Sequence, residues 1–509
     1  MSMPEECMMN LKSRIKKEWI IAFLSVVIIG FATYLYKFTN YLPNWDSIAI
    51  NYTDYSTAND WIRGGRWFFI IGYGITGYVN IPILSGLLSI LYIAITAVLV
   101  VELLNIKKVT TIILISAIMI TFPTVSSGFA FMPDTFFLSL VLAVTAVFLT
   151  TKLKNIWGIL FGIVLLSFSM GTYQAYLSVA IVLILILLIQ ELSKKTISIR
   201  VILKKGVNYL VMGIGGIALY FGITQALLLL TNQTLTSHQG MSDVGNSVST
   251  GMIGNIRKVI IDFSYFFMGS IHKVTIFQVM NILLFICGIV LFVIWIIRNG
   301  IYQEILRLGA IIVLMIGIPL ACYIYYLVTP SITYHPLMLY SMSFVYIFIF
   351  FLYDKVELKT SFIHWITVMI SITMVYLFIL NANKGYMALT QSYEKTYGIV
   401  NRMADRIEQL EGYSNIDKIA VVGYINNESY ENLSFDIPMT GFTDGLLITH
   451  QTHIVMFLNS CLGINLIPAK DDEINQIIES VEYEQMNCWP ASMSILQIGD
   501  TVVIKLEDK

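Results

Sequence analysis

Charge is what this 509-residue chain has least of. Only 12% of its residues are Asp, Glu, Lys or Arg, against about 25% in a soluble globular protein. With 57% hydrophobic residues and a mean hydropathy of +0.76, the composition excludes a wholly soluble protein and predicts a polytopic α-helical membrane protein. A net charge of −1 offers no basic surface for a nucleic-acid partner. Five cysteines are too few for a disulfide framework. Cys287 and Cys322 lie in apolar stretches, where a thiol is a small buried hydrophobe. Cys461 and Cys488 fall in a polar tail and could pair there if that tail is outside the cytoplasm. No internal repeat or low-complexity tract is present, and the tail has no phosphate-binding glycine loop, metal-ligand cluster or nucleophile elbow.

What is there is a series of apolar stretches, at roughly the 20-residue length of a spanning helix. They are 19–39, 81–104, 109–125, 134–151, 156–171, 173–190, 207–231, 277–297, 308–328, 336–353 and 361–381, so about eleven spans are expected. The fifth and sixth are parted only by Gly171 and Thr172, as in a tight hairpin or re-entrant pair. Residues 1–18 are a basic N-terminus (Lys12, Arg14, Lys16, Lys17), and the long run after them lacks a cleavage site, so it reads as a retained first span. With the N-terminus inside, the cytoplasmic breaks collect Lys107, Lys108, Lys152, Lys154, Lys194, Lys195, Arg200, Lys204, Lys205, Arg298, Arg307, Lys355 and Lys359. The outer loops hold little beyond Arg63, Arg66, Arg257, Lys258 and Lys273, a bias that sets the orientation.

Three regions follow: the N-terminus 1–18, a transmembrane catalytic domain 19–381, and an extracytoplasmic domain 382–509. Outer loop 40–80 alternates aromatic and polar residues, as in helices lying in the interface. Outer loop 232–276 opens polar and becomes amphipathic from Met252 to Met268. In the tail, 386–411 reads as a helix, and 418–424 and 497–506 as strands of a small α/β domain.

Acids and arginines gather at the outer face. Asp46, in Pro43-Asn44-Trp45-Asp46, follows the first span and suits a general base, since a low-dielectric site raises a carboxylate toward working pH; Asp54 and Asp60 are rivals, and a solvated loop acid is the plain alternative. Arg63 and Arg66 flank two glycines in Arg63-Gly64-Gly65-Arg66-Trp67, offering planar forks for phosphate oxygens with close backbone approach. Asp134, in Phe131-Met132-Pro133-Asp134, suits a helix cap or a second acid holding an acceptor hydroxyl or a divalent ion. Tyr173, Gln174, Tyr334 and His335 lie at the same level. His335 could bind phosphate or carry a proton, and His272 with Lys273 could join a phosphate site. His238 has no evident role.

These motifs resemble the bacterial O-antigen glucosyltransferase family of Gtr type II, membrane-embedded class C (GT-C) glycosyltransferases. The likeness rests on Asp46, Gly65-Arg66-Trp67, Pro133-Asp134, Tyr173-Gln174 and the closing Tyr483–Lys505 segment. It implies an inverting transferase that uses a polyprenyl-phosphate sugar such as polyprenyl-phosphate glucose, and a cell-surface polysaccharide as acceptor. Asp46 would be the base, Arg66 with Arg63 the phosphate ligands, and Asp134 the acid positioning the acceptor. Trp67, Tyr173, Gln174 and His335 would complete the substrate site, with no cofactor and a metal-free reaction favoured. Two departures bear on this. Asp46 lacks the adjacent second acid common in such enzymes, and His335 stands where an arginine is common. A lipid-linked glycan flippase would need ionisable residues near mid-bilayer or a repeated architecture, and a glycan polymerase or ligase an arginine-rich outer loop. Neither pattern is present. The expected place is the bacterial cytoplasmic (inner) membrane, with the tail outside.

Overall fold

The computed structural model describes residues 15–52, 58–79, 81–131, 133–153, 155–236, 251–269, 274–329, 332–356, 361–431, 433–435, 437, 439–448 and 450–507. Asp54, Lys154, His238, His272, Lys273 and Lys359 lie outside them. The chain forms two compact units. The first contains residues 1–38, 56–382 and 436–440, and the second 39–55, 383–435 and 441–509.

The first unit is helical. Among the described residues of the chain, nine helices are long and apolar enough to cross a membrane, and Ile156–Thr172 is a shorter apolar one. Two of the about eleven expected spans are shorter as α-helix than expected. Ile156–Thr172 stops at Tyr173, which is extended before a 3-10 turn at Gln174–Tyr176. The candidate 336–353 begins with 3-10 turns at Pro336–Met338 and Tyr340–Met342, leaving only Ser343–Lys355 as α-helix. Pro82–Leu103 packs on Pro133–Lys152, which packs on Ile156–Thr172, which in turn packs on Ile199–Thr231.

Pro123 divides the third span into Val109–Thr121 and Pro123–Ala130. Proline has no N–H, so the Met119 carbonyl loses its helical donor. The Tyr340 hydroxyl replaces it at 2.8 Å, and Tyr34 donates to the neighbouring Ile120 carbonyl at 2.8 Å. Tyr340→Phe leaves that buried carbonyl unpaired, at a cost of about 1–3 kcal/mol. A lower Tm of the detergent-solubilised protein is the expected result; an unchanged Tm would mean another donor takes the carbonyl.

Several basic residues at the span ends are tied in place. Glu102 accepts from Lys16 Nζ at 2.7 Å, Lys152 Nζ at 2.9 Å and Trp19 Nε1 at 3.0 Å. Arg307 donates to the carbonyls of Leu192, Lys194 and Ile197. These contacts join the ends of helices that are distant in sequence.

The second unit is built on a four-stranded sheet in the order β2-β1-β4-β3, with β1 Lys418–Val422, β2 Ile467–Pro468, β3 Ile495–Ile498 and β4 Thr501–Lys505. β1 is parallel to β2 and β4, and β3 is antiparallel to β4. Alternation along the strands feeds two cores: Ile419, Val421, Val502 and Ile504 join Met403, Phe457 and Leu458, while Ala420, Val422 and Val503 join Ile477, Tyr483 and Met486.

Three tail expectations change. The 386–411 helix is the end of one longer helix, Ser361–Glu408. The 497–506 strand is a hairpin, turned at Gly499 with φ +62°. Cys461 and Cys488 are not joined in a disulfide. Residues 39–55 also pack within this unit: the Trp45–Tyr52 helix lies on Gln451–Leu462, with Ile48 fully buried in the core.

Candidate functional site

The short Ala58–Arg63 helix ends in a turn that sets out both arginines. Gly65 N–H donates to the Ile62 carbonyl at 2.9 Å and Arg66 N–H to Trp61 at 2.7 Å, with Gly65 at φ +67°. This is a glycine-capped Schellman ending. It places Arg63 on the last helical turn and Arg66 just past the reversal. Gly65→Val forces a side chain into the left-handed region, at a cost of about 1–2 kcal/mol. The turn should open, and activity should fall more than the shift in Tm accounts for; Gly64→Ala, which keeps an ordinary backbone, is the comparison.

The turn is held from three sides. Gln174 Nε2 donates to the Gly64 carbonyl at 2.8 Å and to the Tyr220 hydroxyl at 3.1 Å. Thr236 N–H donates to the Arg63 carbonyl at 3.1 Å. Trp67 Nε1 donates to Thr224 at 3.2 Å, and its ring lies where a Cβ on Gly171 would come within 2.6 Å. Phe68 N–H donates to the Gly171 carbonyl at 2.8 Å. The Gly171-Thr172 break between spans thus serves as the seat of Trp67.

Arg66 lies over the Tyr173 ring, 5.1 Å from its centroid. A phenol is uncharged near neutral pH, so the guanidinium meets a neutral ring. Among the described residues, nothing accepts a hydrogen bond from the Arg66 side chain. Arg63 lies 3.8 Å from the exposed carboxylate of Asp60, and its buried Nε has no acceptor among the described residues. The turn therefore offers unused guanidinium donors on a fixed backbone, which is what a phosphate requires.

The other candidates are placed differently. Asp134 is 2% exposed. Its carboxylate lies in the first turn of Pro133–Lys152, where a negative charge favours the helix dipole, with Thr135 and Ser85 beside it. No hydrogen bond or ion pair joins it to Arg63 or Arg66. Asp46 is exposed in the first turn of Trp45–Tyr52, whose start is capped by Asn44 Oδ1 accepting from Ser47 N–H at 2.8 Å. His335 is half-buried and precedes Pro336–Met338, with its carbonyl accepting from Met338 N–H at 2.8 Å. Lys505, closing the tail motif, is 5% exposed, donates to the Met486 carbonyl at 3.0 Å and lies over Tyr483. That motif acts within the second unit as a clamp. Among the described residues, no group of three His, Cys, Asp or Glu side chains converges as a metal site would need.

Tyr220, Thr224 and Tyr325 were not singled out by sequence. The Tyr325 hydroxyl donates to the Gln174 carbonyl, and Tyr325 N–H donates to the Tyr334 hydroxyl at 2.8 Å. The available signal was the run Tyr323–Tyr326, polar aromatics closing an apolar span.

Comparison with known proteins agrees with the resemblance. The family model for glucosyl transferase GtrII matches residues 35–353, a stretch that includes Asp46, the arginine turn, Asp134, Tyr173, Gln174 and His335 but not the Tyr483–Lys505 segment. No curated protein and no solved structure gives a significant match. With well over half of its length matched, this chain belongs to the glucosyl transferase GtrII family.

Proposed function

We propose that this protein is an inverting hexosyltransferase that moves glucose from a polyprenyl-phosphate sugar to a cell-surface glycan at the outer face of the cytoplasmic membrane. The observation that carries the reading is Arg66: a guanidinium held on Tyr173, with no acceptor among the described residues, on a turn fixed by Gln174 and Trp67. A phosphate completes its hydrogen bonding. The polyprenyl tail stays among the apolar helices while the sugar phosphate meets Arg66 and Arg63.

Asp46 takes the acceptor hydroxyl proton as that oxygen attacks the anomeric carbon, and the bond from that carbon to the phosphate oxygen breaks. Polyprenyl phosphate leaves already charged, so no acid is required for the leaving group. Asp134, buried in the first turn of its helix, positions the acceptor side, and His335 serves the phosphate. The bias of basic residues toward one set of breaks supports an inside N-terminus.

The test is reconstitution. Purified protein in liposomes, supplied with polyprenyl-phosphate glucose and candidate acceptor glycans, should release free polyprenyl phosphate. Absence of release with this and other polyprenyl-phosphate hexoses would overturn the reading. Movement of intact lipid across the bilayer would then favour a flippase.

A further inference from the structure

The amphipathic Met252–Met268 helix carries Lys258 and Asp262 four residues apart, a spacing at which opposite charges on a helix ordinarily pair. Here both turn to Tyr326. Its hydroxyl donates to Asp262 Oδ2 at 2.8 Å, and Lys258 Nζ lies 4.0 Å from the ring centroid. Tyr326 stacks on Tyr323 at 5.6 Å, and Tyr334 stands edge-on to both, at 4.8 Å from Tyr323 and 4.7 Å from Tyr326. Lys258 is exposed and Asp262 half-buried. Among the described residues, Lys258 makes no hydrogen bond or ion pair, and Asp262 Oδ1 accepts no hydrogen bond.

We infer that Lys258, Asp262 and these tyrosines form a subsite for a neutral, hydroxyl-rich ligand: a sugar unit of the acceptor glycan. The assignment rests on the transferase reading above. An ammonium and a carboxylate held side by side disfavour both classes of ion, since a cation meets Lys258 and a phosphate or carboxylate meets Asp262. A polyol suits both, accepting from the ammonium and donating to the carboxylate. The subsite also shares a frame with the arginine turn. Tyr325 bonds Tyr334 through its N–H and the Gln174 carbonyl through its hydroxyl, and Gln174 holds Gly64.

Saturation-transfer NMR on the purified full chain tests this, with the methyl glycosides of glucose, galactose, rhamnose and N-acetylglucosamine as probes. Wild type should give a signal with at least one of them. Asp262→Asn and Lys258→Met should weaken its binding about tenfold, as expected for losing a hydrogen bond to a charged group. Tyr326→Phe, which keeps the ring and loses only its bond to Asp262, should weaken binding in the same direction. No signal with any probe, or equal signals in wild type and the Asp262 and Lys258 variants, overturns the subsite. The two readings fail separately: glycoside binding that depends on Asp262 without consumption of polyprenyl-phosphate glucose refutes the transfer and keeps the subsite. Consumption with unaltered glycoside signals does the reverse.

Discussion

Arg66→Gln is expected to lower kcat/KM for polyprenyl-phosphate glucose by about a hundredfold or more, the usual scale for removing a preorganised charged donor from a developing anion. The protein should still fold, because the arginine side chain donates no hydrogen bond to the described structure and contributes only its ring contact with Tyr173. Arg66→Lys should recover part of the activity: an ammonium restores the charge but not the planar fork that matches two phosphate oxygens. A steady-state assay of polyprenyl phosphate release against donor concentration separates the cases. Wild-type kinetics in Arg66→Gln would move the phosphate contact to Arg63, whose buried Nε has no acceptor among the described residues.

Asp46→Asn should lower kcat by about two to four orders of magnitude, the range general-base catalysis supplies, while donor affinity stays near wild type. The substitution keeps size and removes only the proton acceptor. The start of the Trp45–Tyr52 helix should survive it, because Asn44 caps that helix and Ile48 anchors it in the core. Asp60→Asn is the informative companion. Asp60 is the rival base in the same stretch, lying 3.8 Å from Arg63. Full activity in Asp46→Asn together with loss in Asp60→Asn would transfer the role.

The arginines and the glycine pair between them were legible as a place of close backbone approach, but the reversal was not: the Schellman bonds from Gly65 and Arg66 depend on Gly65 taking the left-handed conformation. Tyr173 and Gln174 were legible as polar residues at a span break, though not that one would carry Arg66 and the other the Gly64 carbonyl. Lys258, Asp262 and Tyr326 were not legible as a group. The pair on the helix looks like ordinary amphipathic charge, and the tyrosine that engages it belongs to another helix end. Asp134 shows the opposite limit: its position at a helix start was clear, but not that Ser85 of a preceding span would stand beside it. Gly499-Asp500 carried a hairpin signal, masked by the apolar residues on both sides. The burial of Ile48 depends on a helix some four hundred residues later, which no local pattern announces.

The proline break at residue 123 bears on how this protein is made. An unpaired carbonyl in hydrocarbon costs several kcal/mol, and the hydroxyl that satisfies Met119 is supplied 221 residues downstream. A nascent chain therefore carries an incomplete third span until another 221 residues have been made. Only when the Tyr340 segment arrives does that span acquire its full hydrogen bonding. Insertion of the early spans and completion of their packing are thus distinct events, and the late segment acts as the keystone of the early one.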